Sequence, residues 1–344
     1  MNTSLYDMHM VRVLMTDYSD TKKVKYNAGS ELQLDAARGA RLRNNFQEFN
    51  SISAFGNIEF TMLSKVVVRP SVRVSHNSRF GNPVTPSLHL RINPAKNTIA
   101  RVSVARGFRA PSLKELDINF IDANHNITGN NNLQPEQALN MQANITKVWY
   151  AKTVSFEAGI NSFYNMIENL ITLGLTDPLF FKYTYINSGS FRNYGAGARV
   201  GARSNLWQST ISFNMVGNSG LMNQEVYYSP EFAATAGCNN QNYGLEINAF
   251  FKVNGVSRVI ALSNIGESAL TRSGAFSMFD IIAAKSLFNN HLKIVCGVKN
   301  ILDVTNIVNS TAAALPHGGG PITPVAMGRN YMLELRYEFN KKKN

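Results

Sequence analysis

The sequence contains little charge and little cysteine. Charged residues make up 16% of its 344 residues, whereas about 25% is usual for a soluble domain. The two cysteines, Cys238 and Cys296, stand singly without the spacing of a zinc site, and a chain of this length needs no disulfide framework. Hydrophobic residues make up 44%, with 13 tyrosines and 20 phenylalanines. This composition fits a β-barrel whose outer face meets lipid, and it also fits a soluble β-protein rich in aromatics.

Long apolar runs are missing as well. The densest apolar patches, at 66–68 and 281–284, are far shorter than the roughly 20 residues of a transmembrane helix. If the chain spans a membrane, we expect a closed barrel, because only helices and closed barrels satisfy their backbone hydrogen bonds in hydrocarbon. Residues 1–7 lack the basic and apolar regions of a signal peptide. For an exported protein, this predicts that the sequence is a fragment.

No residue pattern typical of an enzyme or of a nucleic-acid-binding protein is present. The sequence has no Ser-His-Asp, Cys-His or His-Glu-x-x-His set. The three glycines at 318–320 are not followed by the Gly-Lys-Ser/Thr of a phosphate-binding loop. The net charge is +12, but the basic residues are scattered and form no aromatic-basic cluster. We therefore expect no catalytic residue, no metal site, no bound cofactor and no nucleic-acid partner.

Apolar and polar side chains alternate every two residues through most of the sequence, which predicts β-strands. Charged residues within such strands, among them Arg69, Arg73 and Arg91, indicate a face that lines a water-filled lumen. A soluble sandwich would show the same alternation with inside and outside exchanged. Many segments nevertheless reach about 10 residues, as membrane strands require. We count about 14 to 16 strand candidates.

The connections between these strands alternate between short and long. A short turn lies at 289–290, whereas longer connections lie at 109–134, 173–178, 218–228 and 303–327. Outer-membrane barrels have short turns at the periplasmic end and long loops at the outer end. The spacing is therefore typical of such a barrel.

Two short motifs flank the first long connection. The first consists of Phe108, Arg109, Ala110 and Pro111. The second consists of Asn130, Leu133, Pro135 and Glu136. Together they resemble the F-R-A-P and N-P-x-L-x-P-E boxes of TonB-dependent outer-membrane receptors, although Asn131 stands where the family usually has proline.

Two features near the C-terminus extend this resemblance. Residues 297–303 read G-V-K-N-I-L-D and are similar to the G-V-x-N-L-F-D of the family. The last predicted strand resembles the closing strand of the barrel, which the barrel-insertion machinery reads in these receptors. Its alternating large side chains are Tyr331, Leu333, Leu335, Tyr337 and Phe339. Residues 340–344 extend beyond this pattern.

The resemblance implies an all-β, antiparallel transmembrane β-barrel in the outer membrane of a Gram-negative bacterium. Large barrels of this kind have 22 strands around a plugged lumen. We therefore expect residues 1–344 to be an incomplete, C-terminal portion of the barrel, with the plug domain absent. The implied function is uptake of a metal chelate (siderophore, haem or cobalamin). The implied partners are outer-membrane lipid, the insertion machinery and the TonB complex, which is reached through the plug.

Two residues are candidates for ligand binding. In the haem-transporting branch of the family, a histidine between the two boxes ligates haem, so His125 would ligate iron if haem is the cargo; otherwise it is a turn residue in an Asn/Asp-rich loop. Arg109 either contacts an anionic ligand or pairs with a carboxylate inside the lumen. An outer-membrane barrel enzyme and a soluble β-rich adhesin or glycan-binding module remain as alternative functions.

Overall fold

The computed structural model describes residues 4–17, 23–62, 65–123, 125–177, 179–219, 226–262, 268–310, 322–324 and 327–339. Within these ranges nearly all regular structure is β-strand, with one short α-helix and one 3-10 turn. This confirms the all-β fold that the alternation of side chains predicts. None of the helical segments in these ranges has the length and hydropathy of a membrane-spanning helix.

The first half of the chain contains the longer strands and the helix. In chain order its elements are β1 (Ser4–Thr16), β2 (Val24–Gly39), β3 (Phe46–Met62), β4 (Val66–Asn77), β5 (Val84–Ile92), β6 (Thr98–Arg109), α1 (Leu113–Asp117), β7 (Asn119–Ile121), β8 (Asn126–Thr128), β9 (Glu136–Ala151), β10 (Val154–Glu168), β11 (Ile171–Asp177) and β12 (Lys182–Asn187).

The second half continues the same pattern. Its elements are β13 (Ser190–Arg203), β14 (Trp207–Ser219), β15 (Val226–Asn240), the 3-10 turn Gln241–Tyr243, β16 (Leu245–Asn254), β17 (Ser257–Leu262), β18 (Ser268–Ser273), β19 (Phe276–Leu287), β20 (Leu292–Lys299), β21 (Asn306–Ser310), β22 (Ile322–Pro324) and β23 (Asn330–Tyr337).

Fifteen strands form one sheet, in the order β1-β2-β3-β4-β5-β6-β9-β10-β13-β14-β15-β16-β19-β20-β23. All neighbours in it are antiparallel, and most of its pairings run in continuous register. The number agrees with the 14 to 16 strands expected from the sequence. Within the described ranges, β1 and β23 are the two ends of this sheet, and each pairs with one neighbour.

The connections of the main sheet sort to its two ends. The connections after β3, β9 and β13 are short, and all lie at one end, here called the turn end. The connections after β6, β10, β16 and β20 are long, and all lie at the opposite end, here called the loop end. This separation is the one predicted for an outer-membrane barrel.

Two of the long connections fold into a small sheet at the loop end. Its strand order is β11-β12-β8-β7, and β12 pairs with β8 in parallel, with Tyr183 opposite Ile127. The connection expected at 173–178 does lie between two strands of the main sheet, but it is not irregular, because β11 occupies most of that segment. Its residues pair with β12 in a hairpin that lies outside the main sheet.

The two faces of the main sheet differ in polarity. On β4, Val72 and Val74 are 46% and 48% exposed on the outer face, while Arg73 and Ser75 face the inner side and hydrogen-bond with other inner-face groups. An apolar outer face and a polar inner face are the arrangement of a transmembrane barrel wall.

Aromatic side chains mark the two borders of the outer face. Near the turn end, Trp149 stacks on Phe156 with ring centroids 5.7 Å apart. Near the loop end, Tyr194 contacts Tyr164 and Tyr228 at 6.3 and 6.2 Å. Phe156 and Tyr164 lie on one strand, about 26 Å apart at ~3.3 Å per residue. At the strand tilt of about 35–45° in membrane barrels, this length corresponds to a height of about 20 Å, somewhat less than the ~25 Å apolar band between the aromatic girdles.

The buried apolar core lies at the loop end, where α1 covers the inner face. Leu113 packs with Ala37 and Leu42. One turn further along the helix, Leu116 packs with Leu133 and Ile171. The helix thereby joins the wall of the main sheet to the two long connections.

Candidate functional site

The first motif ends β6 and begins α1. Pro111 follows the strand and is almost completely buried, and proline cannot continue a sheet ladder because it has no N–H group. Ser112 then caps the helix: its Oγ accepts a hydrogen bond from the Glu115 backbone N–H at 3.3 Å, and its own backbone N–H donates to the Glu115 carboxylate at 2.7 Å. This reciprocal capping box explains why a helix of only five residues forms here.

Arg109 and Glu136 connect the two motifs. Arg109 donates from Nε to one carboxylate oxygen of Glu136 at 2.7 Å and from an Nη to the other at 2.6 Å. It also pairs with Glu115 at 2.9 Å. The Glu136 carboxylate accepts a third hydrogen bond from the Ile171 backbone N–H at 2.8 Å. Bidentate arginine–carboxylate pairs are strong and directional, so this group of residues fixes the ends of β6, β9 and β11 together.

Gly129 lets the second motif approach α1 closely. A Cβ atom at this position would lie 2.4 Å from the Leu116 carbonyl oxygen, a distance that no side chain tolerates. The Gly129 N–H donates to the Ile118 carbonyl at 2.6 Å. Asn130 then donates from its side chain to the Tyr185 carbonyl at 3.0 Å, and Leu133 is buried. The motif thus packs against the helix on one side and β12 on the other.

Asn131, the departure from the family pattern, makes contacts that proline could not make. Its Oδ1 accepts a hydrogen bond from Arg79 at 2.5 Å, and its Nδ2 donates to Asp117 at 3.2 Å. Asp117 is fully buried. Asn131 therefore joins the β4–β5 connection to the end of α1 through a polar bridge.

Asn187 is a further structural residue, which no sequence pattern indicates. Its side chain accepts from the Gln134 N–H at 2.8 Å and donates to the carbonyls of Gln134 at 2.9 Å and Asn169 at 2.8 Å. A single amide thereby joins the end of β12 to the segments that precede β9 and β11. Its sequence context, a polar residue at the end of a short strand, carries no signal of this role.

His125 lies immediately before β8, in the hairpin that this strand forms with β7. Its Nδ1 is 2.8 Å from the Asp122 carboxylate, and its ring stacks on Phe120 with centroids 4.3 Å apart. The Arg41 guanidinium lies 4.1 Å from the same Phe120 ring centroid. The helix α1 and the small sheet of β7, β8, β11 and β12 are here called the cap. The structure therefore places His125 in a different part of the cap from Arg109.

A cavity of ≈ 560 Å³ lies between α1 and the inner face of the main sheet. Its lining includes Asp35, Arg73, Arg109 and Lys114. Within the described residues, no group of three or more His, Cys, Asp or Glu side chains is arranged to hold a metal ion. The chemistry available here is the binding of polar or charged groups.

The two C-terminal motifs also contact each other. The Asn300 side chain accepts from the Val304 N–H at 3.0 Å and donates to the Val304 carbonyl at 2.8 Å, which closes a tight turn. The Asp303 carboxylate then accepts from the Arg329 backbone N–H at 2.8 Å, and the Arg329 guanidinium donates to the Ile301 carbonyl at 2.7 Å. Residues 297–303 therefore position the start of β23.

That last strand, β23, has the predicted alternation. Its large apolar side chains Tyr331, Leu333 and Leu335 are 73%, 69% and 66% exposed on the outer face. Tyr337 ends the strand, and Phe339 lies just beyond it. The inner positions between them are polar or flexible side chains, as the lumen face of a barrel requires.

The sequence of this chain is similar to a known family and to two characterised proteins. A family model described as TonB dependent receptor-like, beta-barrel matches residues 2–301. The chain is 26% identical to the ferrienterobactin receptor of Escherichia coli over 138 residues, which are 37% of this chain and 18% of that receptor. It is 28% identical to the iron-regulated outer membrane virulence protein of Vibrio cholerae over 102 residues, 29% of this chain and 15% of that protein.

Solved structures match over nearly the whole chain. A mutant of the ferric enterobactin receptor PfeA from Pseudomonas aeruginosa has a TM-score of 0.75 at 14% identity, covering 98% of this chain and 54% of that one. The siderophore receptor PirA from Acinetobacter baumannii has a TM-score of 0.70 at 16% identity, covering 98% and 55%. At these identities the likeness concerns the fold, and the chain spans about half the length of both structures. The chain belongs to the TonB-dependent receptor-like β-barrel family, and its main sheet is a portion of the wall of such a barrel.

Proposed function

We propose that this chain is part of an outer-membrane receptor that takes up a ferric siderophore into a Gram-negative bacterium. The observation that carries the proposal is the match of nearly the whole chain to the barrels of proteins named as siderophore receptors. The curated relatives support the same cargo class, because one is named as a ferrienterobactin receptor and the other as iron-regulated.

In this function, the cap at the loop end is the surface that meets the cargo outside the cell. Arg109 is occupied by two carboxylates, so we assign it a positioning role and not a ligand contact. A fixed cap favours binding, because a preorganised surface avoids the entropic cost of ordering loops when the cargo binds. The tip at Leu179, which is 86% exposed, and the partly exposed Phe120–His125 stack are two parts of the cap that a ligand can reach.

Haem is a second candidate cargo, favoured by the surroundings of His125. Metal-ligating histidines commonly donate their other ring nitrogen to a carboxylate, and the Asp122 carboxylate lies 2.8 Å from His125 Nδ1. Cobalamin shares the receptor class, but no described residue favours it.

The remaining partners follow from membership of the family. Energy for uptake would come from the TonB complex through a plug inside the barrel, while outer-membrane lipid would surround the apolar face. The barrel-insertion machinery would recognise the last strand. We assign the chain no catalytic role, in keeping with relatives that are named as receptors and transporters.

Iron-limited growth tests the proposal. A strain that lacks the receptor containing this chain should take up radiolabelled ferric enterobactin, or another ferric siderophore, at a much lower rate than its parent. Loss of TonB should lower uptake to the same level. Growth on haemin and on cyanocobalamin is measured in the same strains for comparison. If uptake of every ferric siderophore is unchanged while growth on haemin or cobalamin fails, the siderophore assignment is wrong.

A further inference from the structure

The inner face carries two opposed arginines near the turn end. The register of β5 and β6 places Arg91 directly opposite Arg101. Their neighbours Leu90 and Val102 also pair with each other, and Val102 is 44% exposed on the outer face. Since side chains alternate between faces along a strand, both arginines lie on the inner, lumen-lining face.

This arrangement is unfavourable unless an anion balances it, because like charges directly opposite each other destabilise a sheet. In the part of the chain that the structure describes, neither arginine has an ion pair or a side-chain hydrogen bond. Other arginines on the inner face do reach carboxylates. Arg12 and Arg73 share Glu31, Arg69 pairs with Glu59, and Arg199 pairs with Glu157.

The neighbours of the two arginines supply neutral or basic groups. In the sheet register, Arg101 lies opposite Asn144 on β9, and Asn144 lies opposite Asn161. On the other side, Arg91 lies opposite Val67 on β4, and His89, two residues before Arg91, lies opposite both Arg69 and Ser103. The guanidinium group presents donors that match the paired oxygens of carboxylates and phosphates. The surrounding amides and hydroxyl are further donors.

We propose that Arg91 and Arg101 form an anion-binding site on the lumen wall for an oxyanion group, a carboxylate or a phosphate. One source is a carboxylate of the plug that fills the lumen of such barrels. The other is a soluble anion inside the lumen. The site lies at the opposite end of the wall from the cap, and it does not depend on the cargo that the receptor carries.

Thermal unfolding in detergent at pH 7 tests the site, with inorganic phosphate as the probe. Phosphate replaces chloride at constant ionic strength, so that general screening does not change. A ligand that binds the folded state alone raises its unfolding midpoint, and we expect a rise of about 2 °C for the unaltered chain. The Arg91→Gln/Arg101→Gln double variant should lose this rise.

The matched control is Arg199→Gln, which removes an inner-face arginine that already has a carboxylate partner. It should keep the phosphate effect. The double variant should fold, because removing opposed like charges relieves repulsion; in chloride its midpoint should equal or exceed that of the unaltered chain. An equal phosphate effect in the double variant, or none in the unaltered chain, overturns the proposal.

The two sources of the anion are separated by repeating the titration with the plug domain present. If the plug supplies a carboxylate, phosphate no longer raises the midpoint, and the double variant releases the plug at a lower urea concentration. If a soluble anion is the natural occupant, the phosphate effect persists with the plug in place. Both results support an oxyanion site and assign its occupant.

Discussion

Replacing Glu136 with glutamine should loosen the cap without changing its shape. The Glu136 carboxylate is buried and accepts hydrogen bonds from Arg109 and from the Ile171 backbone N–H. Hydrogen bonds to charged groups contribute about 1.5–3 kcal/mol. Because Arg109 is 43% exposed and keeps Glu115 as a second partner, we expect the lower part of that range, about 2 kcal/mol.

Hydrogen exchange at the Ile171 amide measures this loss directly, because this N–H donates to Glu136. Local opening sets the exchange rate of such an amide, and a tenfold change corresponds to about 1.4 kcal/mol. The Ile171 amide should therefore exchange about 30-fold faster in Glu136→Gln. The control is Glu157→Gln, whose ion pair with Arg199 is largely exposed and should affect Ile171 less than about threefold.

A double-mutant cycle with Arg109→Met separates the interaction energy of Arg109 and Glu136 from the other effects of each substitution. Arg109→Met alone leaves a buried carboxylate without its cation, so it should destabilise the cap more than Glu136→Gln does. The double variant should lose less than the sum of the two single changes, with a coupling of about 1 kcal/mol or more. Additive effects, or an unchanged Ile171 exchange rate in Glu136→Gln, would refute the claim that this pair holds the cap.

Three further predictions concern other parts of the cap. Asn131→Pro should lower the free energy of unfolding by about 1–2 kcal/mol, because it removes the hydrogen bonds of Asn131 to Arg79 and to the buried Asp117; denaturant titration measures this. If haem is the cargo, His125→Ala should reduce haem-dependent growth and alter the haem absorption band, whereas unchanged growth on haem contradicts haem ligation. Burial raises the pKa of Tyr185 above its usual value of 10.0. The free energy of unfolding should therefore fall as the pH rises above that value, because the unfolded chain loses this proton more readily. In Tyr185→Phe, the midpoint of thermal unfolding should fall less steeply with pH in this alkaline range.

The barrel wall can be predicted from the sequence because the alternation of apolar and polar side chains is local and recurs in strand after strand. Outer-face residues such as Val72 and inner-face residues such as Arg73 alternate along each strand, so membrane and lumen leave a two-residue period in the sequence. The last strand was predicted for the same reason. The family motifs added the location of the cap, which periodicity alone does not give.

The interior of the cap could not be predicted in the same way. The segment at 173–178 has too few residues to show a strand period, and its pairing depends on β12, which follows a tight turn. Asn187 and Asn131 act through contacts with residues far away in the sequence, and isolated asparagines in a loop give no signal of such partners. His125 lies between the two motifs in the sequence, but its stack on Phe120 depends on a hairpin that sequence spacing does not indicate.

The sidedness of the barrel tests the central claim most directly. In a variant without Cys238 and Cys296, one cysteine is placed at Leu179 at the loop end or at Asn205 at the turn end, and intact cells are treated with a membrane-impermeant maleimide. If the chain is the wall of an outer-membrane receptor with its cap outside the cell, Leu179→Cys reacts on intact cells and Asn205→Cys reacts only after permeabilisation. Labelling of Asn205→Cys on intact cells, with Leu179→Cys protected, would contradict the account.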